Sequence, residues 1–337
     1  MLFDYISLAG GLVVLIIAGD VLVRGSVGVA QRLGIPNLVI GLTIVAFGTS
    51  APELVISLKA AMKDAGGIAI GNVVGSNIAN VLLVLGVPAL IAATPCGERG
   101  ATRTAVFMVA VTLVFIAICF YSPIGLVSGL LLLTLLAFFL GASTIAARRH
   151  RRDLKAAAAG AAVSDASVGA VDDEDALDDV EDVPESIWIA VIYILLGLVG
   201  LPLGAHFTIG GATSIAVSWG VSQTVIGLTI IALGTSLPEL ATTVMAAIRQ
   251  QGAVAIGNVI GSNIFNLLAI IGITAVIVPI DVPQEVLKLD VWVMLACAVL
   301  LTALAGFRIC LGRISGIFMT AAYMFYIAMV YMLGHVT

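Results

Sequence analysis

Apolar residues run through this chain in long stretches, separated by short polar segments and by one long one. Ten stretches are long enough to cross a bilayer: about 3–22, 36–62, 69–93, 103–121, 124–146, 187–207, 222–248, 255–279, 290–306 and 314–334. A helical span needs roughly 17–25 predominantly apolar residues. The pattern predicts an all-α membrane protein of ten transmembrane helices, five on each side of a polar segment at 147–186. No basic residue precedes the first run, so it is expected to be a true span and not a cleaved signal.

Composition agrees with the pattern. Hydrophobic residues make up 61% of the chain and charged residues 10%, against about 25% charged in a soluble protein. The mean hydropathy is +1.19. Such a chain cannot cover a water-facing surface, and the lipid bilayer is its expected surrounding.

The two halves repeat one another. Gly41-Leu-Thr-Ile-Val-Ala-Phe-Gly-Thr-Ser-Ala-Pro-Glu-Leu54 returns as Gly227-Leu-Thr-Ile-Ile-Ala-Leu-Gly-Thr-Ser-Leu-Pro-Glu-Leu240. Gly71-Asn-Val-Val-Gly-Ser-Asn-Ile-Ala-Asn80 returns as Gly257-Asn-Val-Ile-Gly-Ser-Asn-Ile-Phe-Asn266. At a constant offset of 186, residues 41–86 and 227–272 share 26 identities in 46 positions. Five spans per half is an odd number, so the copies enter the membrane upside down relative to each other, as two inverted five-helix repeats. The expected organisation is a first repeat at 1–146, a linker at 147–186 and a second repeat at 187–337.

Charge sets the orientation. With the N-terminus outside, Arg24, Arg32, Arg99, Arg103, the Arg148–Lys155 cluster, Arg249, Arg308 and Arg313 fall in the cytoplasm; only Lys59, Lys63 and Lys288 fall outside. The positive-inside rule favours that arrangement. It makes the chain a multi-pass protein of the cell (inner) membrane, with a cytoplasmic central loop. That loop opens on Arg148-Arg-His-Arg-Arg152, expected to anchor the fifth helix at an anionic leaflet. It closes on Asp172-Asp-Glu-Asp175, Asp178, Asp179, Glu181 and Asp182. Blocks of like charge and low hydrophobicity predict a disordered linker. A calcium-sensing loop would need a fixed carboxylate spacing and a glycine at the sharp turn.

The chemistry lies in the duplicated motifs. Pro52 and Pro238 lack an N–H and crowd the carbonyls of Gly48 and Gly234, so each Gly-Thr-Ser-x-Pro-Glu should break its helix at depth. Backbone opened there survives only when buried in protein or lining a wet cavity. Carbonyls, the hydroxyls of Thr49, Ser50, Thr235 and Ser236, and the carboxylates of Glu53 and Glu239 then make an all-oxygen, doubly negative environment. Such a set suits calcium, which takes six to eight oxygens, and sodium, which takes fewer. A carboxylate in mid-bilayer costs about 2.5–3.5 kcal/mol, and intramembrane acids mark ion pathways. The second motif adds neutral groups on one helix face: Asn72, Ser76 and Asn80, and in the copy Asn258, Ser262 and Asn266. Asn80 and Asn266 lie deepest in the apolar runs and are the stronger ligand candidates; the others also serve as interhelical glue. Asp20 and His206 occupy equivalent positions near helix ends, as gating, proton-linked or plain interfacial groups. Cys96, Cys119, Cys297 and Cys310 have no paired spacing. No nucleotide-binding motif appears, which argues against an ATP-driven pump.

At these residues the chain resembles the cation/calcium exchanger superfamily, in its Na+/Ca2+ exchanger branch, over nearly its whole length. The resemblance implies a core of the second, third, seventh and eighth helices, across which the first and sixth slide. It implies Glu53 and Glu239 as the main ligands for Ca2+ and Na+. Thr49, Ser50, Ser76 and Asn80 would assist from one repeat, and Thr235, Ser236, Ser262 and Asn266 from the other, with carbonyls from Ala46 and Ala232. Many relatives are similar in carrying Asp where this chain has Asn266, and its neutrality weighs against potassium co-transport. The expected activity is Na+/Ca2+ antiport by alternating access, with Ca2+/H+ exchange as the first alternative and potassium-dependent Na+/Ca2+ exchange as the second. No enzymatic chemistry, resident cofactor, nucleic acid or obligatory protein partner is implied.

Overall fold

The computed structural model describes residues 2–98, 100–161, 183–184, 186–221, 226, 230 and 232–334. The first repeat comprises α1 (Leu2–Leu33), a second span bent by 44° between α2 (Asn37–Thr49) and α3 (Ala51–Ala61), then α4 (Gly66–Ile91), α5 (Ala101–Cys119) and α6 (Leu126–Ala161). The second comprises α7 (Ile187–Ser218), the short α8 (Ala232–Thr235) followed by α9 (Leu237–Ile248), then α10 (Gly252–Ile277), α11 (Val286–Gly306) and α12 (Arg313–Gly334). Among the described residues eight helices are individually long and apolar enough to span, and the bent pair makes a ninth. The tenth is the α8–α9 span, whose first part at 222–231 lies mostly outside the described residues.

Packing makes the inversion visible. A Cβ on Gly25 would lie 2.7 Å from the carbonyl of Ala190, one on Gly11 2.5 Å from the amide of Thr208, and one on Gly211 2.6 Å from the amide of Leu8. Residues ascending along α1 thus meet residues descending along α7. These two helices are equivalent under the 186-residue offset, and they run antiparallel. Small residues along the seam let the backbones approach to within a side chain's width.

The loops sort onto two sides, as that topology requires. On one side β1 (Thr94–Pro95) pairs antiparallel with β2 (Cys310–Leu311), and Asn37 bonds Gln251 at 2.9 Å. On the other, Ile124 bridges Ile280, and Gly66 packs on Asp281. The larger hydrophobic core joins α4, α5, α10, α11 and α12 around Ile70, Met108, Phe115, Ile256 and Leu301. A smaller one joins α1 and α7 to α2 and α9 around Leu22, Leu201 and Ala246. Large apolar side chains such as Leu196, Phe318 and Phe325 point outward, as lipid contact demands.

Several helices overrun the expected boundaries, each for a local reason. α1 continues to Leu33 and stops where Gly34 adopts φ 61°, with the Ile35 amide returning to the Ala30 carbonyl at 2.9 Å. α7 stops the same way at Gly220, φ 79°, with Val221 bonding Ala216 at 3.0 Å. These are glycine-terminated caps, one offset apart, and polar residues such as Asp20 and Arg24 do not end a helix before them. α6 runs through the basic cluster to Ala161, so 147–161 is helical where a disordered linker was expected. The alanines, arginines and lysine there are strong helix formers. The rest of the expected linker, apart from Val183, Pro184 and Ser186, lies outside the described residues.

Candidate cation site

Both Gly-Thr-Ser-x-Pro-Glu motifs break their helices at the serine. Ser50 has φ −85° and ψ 3°, Ser236 φ −88° and ψ 5°, and the following proline sits in the first turn of the next helix. Proline is tolerated there because a first-turn N–H has no helical partner to lose. Each break therefore starts a new helix, α3 or α9, with Glu53 or Glu239 in its opening turn. The positive end of a helix dipole stabilises a carboxylate in that position.

Behind each glutamate stands the same support. Asn72 donates to the hydroxyl of Ser57 at 2.9 Å and to the carbonyl of Glu53 at 3.4 Å. Asn258 donates to the hydroxyl of Thr243 at 3.0 Å and to the carbonyl of Glu239 at 3.4 Å. Asn72 and Asn258, singled out by sequence as polar face residues, thus clamp the backbone of the acid-bearing helix. The hydroxyl of Thr49 lies 3.3 Å from both the Ala46 carbonyl and the amide oxygen of Asn258. The hydroxyl of Ser50 donates to Glu239 Oε1 at 3.1 Å. The repeats are thereby stitched together at the break.

What remains unpaired defines the site. Glu53 and Glu239 are each 1% exposed, yet Oε2 of both has no hydrogen-bond partner. The same holds for Asn80 Oδ1, Asn266 Oδ1, Ser236 Oγ and Ser262 Oγ. Leaving a buried polar atom unsatisfied costs about 1–3 kcal/mol, more for a charged group. Six such oxygens, drawn from both repeats, fall in the two motifs the sequence singled out. Among the described residues no group of three His, Cys, Asp or Glu is placed to hold a metal ion, and Glu53 and Glu239 are the acids of the two motifs.

The other expected ligands are placed as follows. Ser76 is buried one helical turn before Asn80, and Thr235 is buried at the end of α8. The Ala46 carbonyl is engaged by the Ser50 amide at 3.1 Å as well as by Thr49. In the copy the Ser236 amide turns to Leu233 at 3.2 Å, which relieves the Ala232 carbonyl of that bond. Asp20 is engaged elsewhere: it pairs with Arg249, the residue that caps the end of α9, and with Arg24 at 3.7 Å. His206 is exposed and packs edge-on against Phe207. The four cysteines are free thiols. Asn77 and Asn263 were passed over in the sequence although both motifs contain them; they bond Asn266 at 3.2 Å and Asn80 at 3.1 Å across the repeats. Their recurrence at the repeat offset was the available signal.

Two inverted five-helix repeats meeting at broken, acid-bearing helices are the architecture of a secondary transporter. The chain belongs to the sodium/calcium exchanger protein family, which matches residues 3–145 and 189–332, one block per repeat. It is a membrane exchanger of cations and not an enzyme. It is 34% identical to the putative antiporter CaxA of Alkalimonas amylolytica over 89% of each chain. It is 32% identical to the sodium/calcium exchanger MaX1 of Methanosarcina acetivorans over 99% of each. The solved structure of the sodium-calcium exchanger NCX_Mj, soaked with Na+ and Sr2+, superposes with a TM-score of 0.78 at 28% identity, covering 97% of this chain and 98% of that one.

Proposed function

We propose that the protein exchanges Na+ for Ca2+ across the cell membrane by alternating access, and that the cradle between the repeats holds both ions in turn. The observation that carries this reading is the group of six buried, unpartnered oxygens headed by Glu53 and Glu239. Two ionised carboxylates balance one Ca2+ or two Na+. Glu53, Glu239, Asn80, Asn266, Ser236 and Ser262 supply the bare oxygens; Thr49, Ser50, Ser76, Thr235 and the carbonyls of Ala46 and Ala232 complete the set. With no cation bound, the uncompensated charges oppose passage of the site from one face to the other, because an unpaired buried charge is costly. Occupied by either cation, the site crosses. The pair α1–α7, seated on α2 and α9 through the smaller core, is the element that moves. The N-terminus lies outside, the basic loops lie in the cytoplasm, and Ca2+ leaves the cell.

Calcium flux into purified vesicles tests this directly. Radioactive Ca2+ uptake is measured with Na+, H+ or K+ gradients imposed one at a time. Uptake driven by Na+ alone is the expected result. Uptake driven only by a proton gradient would reassign the protein to Ca2+/H+ exchange, with protons replacing Na+ on the glutamates.

A further inference from the structure

We infer that Asn77 and Asn263 are positioning residues, each fixing which end of the opposite repeat's asparagine amide is turned toward the cations. The inference rests on the reading of Asn80 and Asn266 as ligands and adds the groups that aim them. The two ends of an asparagine amide are nearly alike in size and shape, so its direction is set by what its neighbours can donate or accept. Here the neighbour at the far end is a thioether. The Nδ2 of Asn263 lies 3.6 Å from the sulfur of Met108, and the Nδ2 of Asn77 lies 3.6 Å from the sulfur of Met294. A thioether has no proton to give, so only the nitrogen end of the amide can face it. That turns Asn263 Oδ1 to Asn80, which must answer with its Nδ2 at 3.1 Å. It likewise turns Asn77 Oδ1 to Asn266, which answers with its Nδ2 at 3.2 Å. The oxygens of Asn80 and Asn266 are left over, buried and without a partner in the protein.

Each chain of three side chains thus carries a polarity from a sulfur to the cradle. Reversing either amide would set an oxygen against the sulfur and aim an NH2 at a cation. Water cannot relax the constraint, because Met108, Met294, Asn77 and Asn263 are all at most 3% exposed. The device occurs twice: Met108 and Met294, like Asn77 and Asn263, are one 186-residue offset apart. It also crosses the repeats, so the amide of one repeat is oriented by the core of the other.

The test is a double-mutant cycle on Na+-driven Ca2+ uptake in vesicles, using Asn80→Ala, Asn263→Leu and the two combined. Asn263→Leu should raise the Ca2+ KM about tenfold, equivalent to about 1.4 kcal/mol, with Vmax held within about twofold. In the Asn80→Ala background it should add less than about twofold, because it acts only through Asn80. Multiplying effects would overturn the positioning role while leaving Asn80 a ligand. A wild-type KM in Asn80→Ala would overturn the ligand reading, and the inference with it. Met108→Leu preserves volume and apolarity and serves if Asn263→Leu fails to fold; it should raise the Ca2+ KM about two- to threefold through misdirected amides. An unchanged KM in that variant would overturn the sulfur as the group that sets the polarity.

Discussion

In the proposed exchange both glutamates are ionised around the cation, and replacing Glu239 by glutamine then takes the charge of the cradle from minus two to minus one and leaves almost everything else in place. The side-chain volume is kept, and Ser50 can still donate to the remaining oxygen as it does to Oε1 at 3.1 Å. The change falls on Oε2, the buried oxygen without a partner, which becomes an NH2 aimed at the cation. At a separation of about 2.4 Å and an effective dielectric of about 20, a carboxylate attracts Ca2+ by about 14 kcal/mol and Na+ by about 7. Most of this is cancelled by the cost of stripping water from the ion and the carboxylate. If only a tenth survives, about 1.4 kcal/mol for Ca2+ and half that for Na+, the Ca2+ affinity falls at least tenfold and the Na+ affinity about threefold. The assay is Na+-driven uptake of radioactive Ca2+ into vesicles over a Ca2+ titration, with Na+ inhibition of uptake measured in parallel and helix content checked by circular dichroism. Uptake at micromolar Ca2+ should collapse, with unchanged helix content and a larger loss for Ca2+ than for Na+. Near-normal exchange would refute the cradle, and equal losses for both ions would refute the charge argument. Glu53→Gln should behave alike.

Other outcomes follow from the same geometry. Gly257→Val should abolish recoverable folded protein, because a Cβ there would stand 2.7 Å from the Leu38 carbonyl and 3.1 Å from Gly41 Cα; detergent-extracted yield and size-exclusion profile report it. Excising residues 163–181 and bridging with a short Gly/Ser segment should leave Na+-driven uptake within about twofold of wild type, since nothing in that stretch is apolar enough to build a core; loss of transport would point to a regulatory role. Asp20→Asn removes the ion pair that ties α1 to Arg249 on α9, and it should change Vmax by more than about twofold while leaving the Ca2+ KM unchanged, because Asp20 lies outside the cradle. Transport should proceed in K+-free medium, with Asn266 contributing no charge; an absolute K+ requirement in the flux assay would contradict that.

The duplicated motifs made the repeats, their inversion and the helix breaks legible in the sequence. Two apolar copies with an odd number of spans imply inversion, and α1 against α7 runs that way. Glycine and proline ahead of a glutamate implied a broken helix, and both serines sit at a break with nearly the same backbone angles. Less legible was what each member of a polar motif meets. Asn72, Asn77 and Asn80 are the same residue type within nine positions, and helical periodicity alone puts Asn72 and Asn80 on one face. Depth in the apolar run favoured Asn80, and packing separates all three: Asn72 meets Ser57 and the Glu53 carbonyl, Asn77 meets a methionine and Asn266, and Asn80 is left with a bare oxygen. Helix ends were misjudged for a different reason. Hydropathy marks where lipid stops, whereas the helix stops at the next residue able to take a positive φ, which is Gly34 for α1 and Gly220 for α7.

The symmetry that makes the sequence readable also bears on how such a transporter works. If the repeats were identical, exchanging their conformations would convert an outward-open form into an inward-open one of equal energy. Every difference between the copies therefore biases that equilibrium. The cradle itself is nearly unbiased, since its acids, serines, threonines and asparagines match position for position. One difference with a charge in it lies at the rim. Asp20 pairs with Arg249 at one end of the α1–α9 contact, whereas the equivalent positions in the other repeat hold His206 and Lys63, two basic groups with no mutual attraction. A partly exposed ion pair is worth about 0.2–1 kcal/mol, enough to shift two near-degenerate states by up to about fivefold. On the proposed alternating-access reading, ion binding is then common to both faces of the membrane, and a preference for one face has its source where the repeats diverge.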